Sequence, residues 1–219
     1  MNHRELCEIG ARFLKRPMSA NGHGCHFAII EASCYGENPD VFGVRHGVGC
    51  YNSGTFLLEA KTSRSDFLAD KAKPHRINPE QGMGKYRYYI CPENLISPHE
   101  LPEKWGLIYV NKQGHCKVVA GVLAVPKIKY YCEWSKQNKS HADHEAITSN
   151  FSTMAFHQRN FENEMNLLTM ALARISDAEQ MLYQQREYSK VLNENEKLKH
   201  ELRAVSHRKI ELNLEAVKA

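Results

Sequence analysis

Between His3 and Arg16 apolar residues return at Leu6, Ile9, Phe13 and Leu14, positions that share one face of an α-helix. Pro17 and the run Ser19–Gly24 predict where that helix stops. The pattern then changes period. His26–Ser33 is largely apolar, the turn-forming Gly36-Glu37-Asn38-Pro39 follows, and Val41–Arg45 and Thr55–Thr62 read as the next two strands. Ser63 and Asp66 have capping-box spacing, which predicts a helix from Arg64 to about Lys73, closed by Pro74 and Pro79. Gln81–Gly84 reads as a flexible loop in which Gly82-Met83-Gly84 acts as a hinge. Tyr86–Cys91 and Gly106–Val110 read as strands separated by a short helix after Ser97-Pro98, and Lys117–Val125 belongs to a last strand pair. This order predicts an α/β fold with a central mixed sheet flanked by helices.

After Pro126 the character changes. From about Ala142 onward there is neither proline nor glycine, and apolar residues recur at helical spacing. Met165, Leu168, Leu172 and Ile175 form one run; Val191, Asn195, Leu198, Leu202, Val205, Lys209 and Leu212 form another. Glu179 and Arg186 fall on the seam and the phase slips near Ser189, so the two runs do not share a register. The expectation is a domain of residues 1–135 followed by a long, coiled-coil-like helical tail, 136–219, whose last heptads pair with another copy. Asn195 is a polar seam residue of the kind that sets register in a homodimer. The other reading is a tail folded back on its own domain.

Composition narrows the class only a little. Of 219 residues, 42% are apolar and 25% charged, which is ordinary for a globular protein. No apolar run is long enough to span a bilayer, and Met1–Arg16 carries Glu5 and Glu8 with no apolar segment of signal-peptide type. No membrane association and a cytoplasmic location are therefore expected. The seven cysteines are odd in number, widely spaced and without a C-x-x-C pair, which predicts reduced thiols. His23, Cys25 and His26, or His141 and His144 near Cys132, do not make a four-ligand zinc pattern. The basic excess sits in the first 140 residues, with 19 Lys and Arg against 13 Asp and Glu, whereas the remainder holds 10 against 12. That asymmetry suits a polyanionic partner.

The chemistry concentrates in Phe56-Leu57-Leu58-Glu59-Ala60-Lys61. Consecutive apolar residues mark a strand buried on both faces, and Glu59 and Lys61, two apart, leave the same face. Burying an acid and a lysine there costs several kcal/mol unless they pair or bind something. Asp40 opens the preceding strand, so a second carboxylate is expected beside Glu59. Mg²⁺ is held by one or two carboxylates plus waters and phosphate. Asp40 and Glu59 would supply those carboxylates and the Ala60 carbonyl a third ligand, with Mn²⁺ as a substitute ion. Lys61 would position a water or stabilise charge on the phosphoryl oxygens.

Pro39-Asp40 followed by Glu59-Ala60-Lys61 resembles the PD-(D/E)XK nuclease superfamily. The run from Glu59 through Ser63, Asp66, Phe67 and Asp70 to Lys71 is similar to the branch containing MmcB-type DNA repair proteins, with Tyr86 in the place of a following tyrosine. The resemblance covers about residues 3–111. It implies a restriction-endonuclease-like core, Asp40, Glu59 and Lys61 as catalytic residues, and a further acid, for which Glu31 is the first choice and Glu5 or Glu8 the alternatives. Arg64, Lys71, Lys73, Arg76, Lys85, Tyr86 and Arg87 flank the site in sequence and are the expected nucleic-acid contacts. The function expected is Mg²⁺-dependent endonucleolytic hydrolysis of DNA in repair, recombination or defence, with RNA left open. The alternative is a non-catalytic nucleic-acid-binding or scaffold protein that keeps the fold and assembles through its tail.

Overall fold

The computed structural model describes residues 1–17, 20, 22–33, 37–47, 53–124, 149–173 and 178–218. They form two compact units, Met1–Leu168 and Thr169–Ala219.

The first unit is built on a six-stranded mixed sheet in which spatial order follows chain order. The strands are β1 (Phe27–Ile30), β2 (Val41–Arg45), β3 (Gly54–Ala60), β4 (Tyr86–Pro92), β5 (Trp105–Val110) and β6 (Cys116–Ala120). β3, β4 and β5 run parallel, and the remaining neighbours pair antiparallel. The parallel centre explains the unbroken apolar runs, since those strands are covered on both faces. Phe56, Leu58, Tyr86, Tyr88, Ile90 and Ile108 meet helix α1 (His3–Lys15), which buries Leu6, Cys7, Phe13 and Leu14. An Asn2–Glu5 capping box starts that helix. Leu57, Tyr89, Cys91 and Leu107 pack on the other face with Phe67 of helix α2 (Arg64–Asp70).

Several boundaries differ from the sequence reading, each for a local reason. β1 ends at Ile30 because Glu31 adopts a positive φ of 50°, which interrupts the extended chain. The helix expected to reach Lys73 stops at Asp70, and Pro74 opens a second short helix, α3 (Pro74–Ile77), rather than closing the first. A proline's fixed φ suits the first position of a helix. β6 ends at Ala120, where Gly121 takes φ 110°; the rest of the expected strand pair reaches residue 125, outside the described residues.

The Gly82-Met83-Gly84 loop, expected to be flexible, is tied down at each of its residues. Met83 donates its N–H to Glu37 at 2.6 Å, Gly84 donates to Glu164 at 2.8 Å, and the Gly82 carbonyl accepts from Asn160 at 3.0 Å. Gly84 has φ 89°, and a Cβ there would stand 2.6 Å from Leu57 Cβ, so only glycine fits this close approach to β3.

The first unit also extends past the expected boundary at residue 135. Phe151 and Ala155 fill the α1 side of the sheet, and Phe156 and Leu167 fill the other. Glu164 is buried and accepts from the Thr55 hydroxyl, the Gly84 amide and Arg159. Helix α4 (Phe161–Ala173) thus begins inside this unit. Of the expected tail, helix α5 (Ala178–Lys218) is one unbroken helix, on which Val191, Leu192, Leu198, Leu202 and Val205 are exposed. Among the described residues no helix is long and apolar enough to cross a membrane.

Candidate active site

The antiparallel β1–β2–β3 pairing brings the end of β1, the start of β2 and the end of β3 to one edge of the sheet. The N-terminus of α1 reaches the same edge. Glu31, Asp40, Glu59, Lys61 and His3, with the backbone of Ala60, are the polar groups collected there, at the carboxyl end of β3, where α/β sheets bind ligands.

On the α2 side lies a buried charge network. Lys61 Nζ is 3.3 Å from Glu59 Oε2 and 3.1 Å from Asp70 Oδ1. Arg76 of α3 reaches Asp70 at 2.7 Å, Glu37 at 3.0 Å and Glu59 at 3.0 Å. Lys73 stands 2.7 Å from Asp70 and 3.6 Å from Glu59. Tyr89, in register with Glu59 on β4, donates its hydroxyl to Asp70 at 2.7 Å while its ring stacks on Trp105. Three carboxylates (Glu37, Glu59, Asp70) thus balance three cations (Lys61, Lys73, Arg76), which is what lets all of them but the half-exposed Lys73 leave water. Burial pushes the Asp70 carboxyl up, but Arg76, Lys73 and Lys61 outweigh it and hold the group well below the usual carboxylate range. The Arg76–Glu59 pair is close yet off hydrogen-bond alignment, leaving Glu59 Oε1 without a hydrogen-bond donor among the described residues.

On the other side of Ala60 the edge is more open. Asp40 Oδ2 accepts the Ala60 N–H at 2.7 Å, and Oδ1 lies 3.2 Å from His3 Nε2. Burial, and next the Glu59 carboxylate, raise the Asp40 pKa; the Ala60 amide, His3 and Lys61 only partly offset this. In an extended strand the N–H and C=O of one residue face the same side, so the Ala60 carbonyl shares the Asp40 edge. Glu31 neighbours His3 at 3.9 Å and Arg4 at 3.4 Å, and its N–H donates to the Asp40 carbonyl at 2.9 Å. Glu5 is used in the helix cap and Glu8 pairs with Arg4, so neither turns toward β3. Burial, reinforced by Asp40, Glu31 and Glu59, pushes the Cys7 thiol up to about 12.

Asp40, Glu59 and Lys61 therefore reach one sheet edge, with Glu59 and Lys61 in direct contact and Asp40 anchored to the residue between them. The resemblance puts Tyr86 in the tyrosine position, but the hydroxyl that joins the network belongs to Tyr89. Strand parity explains the shift: Tyr86 lies with Phe56 on the α1 face, whereas Tyr89 lies opposite Glu59. Asp70 and Glu37 are network members that the strand pattern gave no reason to select. Asp70 ends α2 and lies within the Glu59–Lys71 run that carries the resemblance, and Glu37 comes from the segment before β2; His3 and Cys7 come from the first helix. An i, i+4 His–Cys pair on a helix facing the acid-bearing strands was the available signal for the last two.

The expected nucleic-acid contacts separate into two groups. Arg64 and Lys71 are exposed and Lys73 half-exposed; Arg64 pairs with Glu100, and Lys71 lies over the Phe67 ring. Arg76, Tyr86 and Arg87 are interior and do not present surface contacts. Arg76 is spent on the network, Tyr86 packs against Phe56 and Phe151, and Arg87 donates to the carbonyls of Pro79, Gly82 and Gly84 over the Phe156 ring. Lys85 is partly buried and donates to the Ser53 carbonyl. Tyr86 and Arg87 are interior because β4 is buried on both faces, and Arg76 because α3 turns it into the acids, placements that a reading of basic and aromatic residues as a surface stripe ignores.

No family model and no curated protein matches the chain. A solved protein of unknown function from Silicibacter pomeroyi is similar at 20% identity and a TM-score of 0.38, over 70% of this chain and 86% of its own length. A likeness that distant says nothing of what either protein does.

Proposed function

We propose that the chain is a Mg²⁺-dependent nuclease of restriction-endonuclease-like fold that hydrolyses DNA phosphodiester bonds. One observation carries this reading: Asp40 and the Glu59-Ala60-Lys61 segment meet at one sheet edge, with the Asp40 carboxylate bonded to the Ala60 amide at 2.7 Å and Lys61 3.3 Å from Glu59. The donor set suits the ion. Asp40, Glu59 Oε1 with its unused acceptor capacity, and the Ala60 carbonyl are hard oxygen ligands of the kind Mg²⁺ takes. When bound, the ion supplies Lewis-acid polarisation of the phosphate and a more acidic water.

The chain's own residues do the rest. The Ala60 amide orients Asp40. Asp70 and Tyr89 hold the Lys61 region rigid, so its positive charge stands at a fixed point beside Glu59. Arg64, Lys71 and Lys73 supply the exposed positive charge on α2 and just after it, where phosphates on either side of the scissile bond would lie. Glu31, whose partners are His3 and Arg4, is left out of the ligand set. Pairing of α5 with a second copy would bring two such sites to one duplex.

A second reading has its own support. Glu59 is 2% exposed and Lys61 3%, and three cations lie within 4 Å of the Glu59 carboxylate. A carboxylate already neutralised in this way suits a non-catalytic, nucleic-acid-binding or scaffold protein that retains the fold. A cleavage assay on single-stranded, duplex and branched DNA with Mg²⁺ or Mn²⁺ separates the two. The nuclease reading expects metal-dependent cleavage that Lys61→Ala lowers by about 100-fold or more, with wild type binding Mn²⁺ and Asp40→Ala not. Cleavage in EDTA, undiminished activity of Lys61→Ala, or no Mn²⁺ binding by the folded wild type would overturn it.

A further inference from the structure

The open side of the Asp40 edge carries a second donor set, of different chemistry. His3 and Cys7 stand one turn apart on α1, and His3 Nδ1 lies 3.6 Å from Cys7 Sγ. Glu31 Oε1 is 3.9 Å from the same nitrogen, while its other oxygen takes Arg4 at 3.4 Å. The three donor atoms lie within 4.8 Å of one another. Two ligands on a tetrahedral ion with Zn–S and Zn–N bonds of ordinary length stand about 3.5 Å apart. The His3–Cys7 spacing matches this, and the Glu31 oxygen needs only a small side-chain adjustment.

Asp40 completes the arrangement. Its Oδ1 faces His3 Nε2 at 3.2 Å, so the imidazole proton belongs on Nε2 and the Nδ1 lone pair points toward Cys7 and Glu31. A carboxylate that fixes the tautomer of a metal-ligating histidine is the recurrent outer-shell partner of zinc sites. Cys7 forms the buried floor while His3 and Glu31 lie at the exposed rim, which leaves a fourth position open to solvent.

We propose that His3 Nδ1, Cys7 Sγ and Glu31 Oε1 form a site for a borderline-soft divalent ion, Zn²⁺ above all, with Asp40 as the residue that positions His3. Thiolate and imidazole donors select Zn²⁺ or Co²⁺ over Mg²⁺, so this site is distinct in chemistry from the oxygen set around Glu59. Binding expels the Cys7 proton to solvent, and the three protein ligands leave one coordination position for water.

The test is a Co²⁺ titration of the reduced full-length chain, followed by the thiolate-to-cobalt charge-transfer band, with Zn²⁺ competition. A band that saturates at one equivalent, is displaced by Zn²⁺ and survives a large excess of Mg²⁺ is the expected result. Cys7→Ser should abolish the band with the far-ultraviolet circular dichroism unchanged. Glu31→Gln and His3→Gln, both at the surface, should weaken Co²⁺ binding by about tenfold or more, and they decide the matter if Cys7→Ser does not fold. No band in wild type, a band retained in Cys7→Ser, or wild-type affinity in both surface variants would overturn the proposal. The readout does not involve DNA cleavage, and none of the three altered residues belongs to the Asp40–Glu59–Ala60 set, so the two readings fail separately.

Discussion

Asp70 and Asp40 stand on opposite sides of the end of β3, and their surroundings drive their carboxyls in opposite directions. Asp70 is fully enclosed, yet Lys61, Lys73 and Arg76 lie within 3.1 Å of it and keep it ionised far into acid. Asp40 keeps some exposure but has an acid, Glu59, as its main charged neighbour, which the Ala60 amide, His3 and Lys61 offset only in part. The first region is closed and charge-balanced, with Glu59 Oε1 the one carboxylate oxygen of its three acids that is left without a hydrogen-bond donor among the described residues. The second is short of positive charge. Burial alone therefore does not mark a ligand site; the useful sign is an acid whose desolvation the protein has left partly uncompensated. By that criterion the open side of Ala60 is where a cation gains most.

The strongest way to break this contrast is to unbalance the closed region. Arg76→Met keeps the apolar bulk over Trp105 but strands Glu37, Glu59 and Asp70 with two lysines between them. Removing one partner from a buried ion network leaves uncompensated charge, and the expected loss is about 3–5 kcal/mol in urea unfolding. Lys73→Met removes a cation from the same carboxylates, but that side chain is 43% exposed and solvent replaces it, so about 0–1 kcal/mol is expected. Equal costs for the two variants would mean that burial does not set the strength of these ion pairs and that the network is not closed to solvent.

A smaller effect sharpens the role of Tyr89. Tyr89→Phe retains the stack on Trp105 and the edge contact with Phe67, and deletes only the hydroxyl donated to Asp70. A bond to a charged acceptor contributes about 1.5–3 kcal/mol, and the remaining cations on Asp70 place the expected loss at the lower end. Chemical denaturation with an unchanged m-value would check it. A neutral result would show that Arg76, Lys61 and Lys73 already saturate that carboxylate.

Much of this architecture was legible in the sequence, and the misses share a cause. The apolar runs located all the central strands, because burial on both faces leaves no polar alternation to misread. The i, i+2 spacing of Glu59 and Lys61 placed both on one face, and the hairpin brought Asp40 to their end of the sheet. What could not be read was which side chains the tertiary packing would then enclose. Arg76, Arg87 and Tyr86 looked like a basic, aromatic surface stripe; Arg76 is interior because three acids from separate segments surround it, and Arg87 because it caps loop carbonyls. Those partners are far apart in sequence, so no local pattern announces them. The segment 149–168 likewise reads as the beginning of a tail, yet Phe151, Phe156 and Leu167 are core residues; helical spacing does not say which body a helix packs on.

The smallest expected effect is also the most direct probe of the contrast between the two acids. Raising a carboxyl's pKa on folding means that the folded chain holds that proton more tightly than the unfolded chain. The associated stability is fully present below the ordinary carboxylate range, about pH 4, and is lost as pH rises through the folded value. Asp40 therefore makes a contribution that declines toward neutrality, whereas Asp70, with its pKa held low, contributes stability at neutral pH that disappears in acid. Asp40→Asn keeps an acceptor for the Ala60 amide while removing the charge. At neutral pH without metal it should equal or exceed wild type in stability, and the difference should vanish on acidification. Added Mn²⁺ should reverse the ranking, because a cation beside Asp40 lowers its pKa and stabilises only the wild type. Urea midpoints from acid to neutral pH, with and without Mn²⁺, measure both effects. Superimposed profiles for wild type and Asp40→Asn under every condition would mean that the open edge is not short of positive charge, and that Asp40 serves only to hold Ala60.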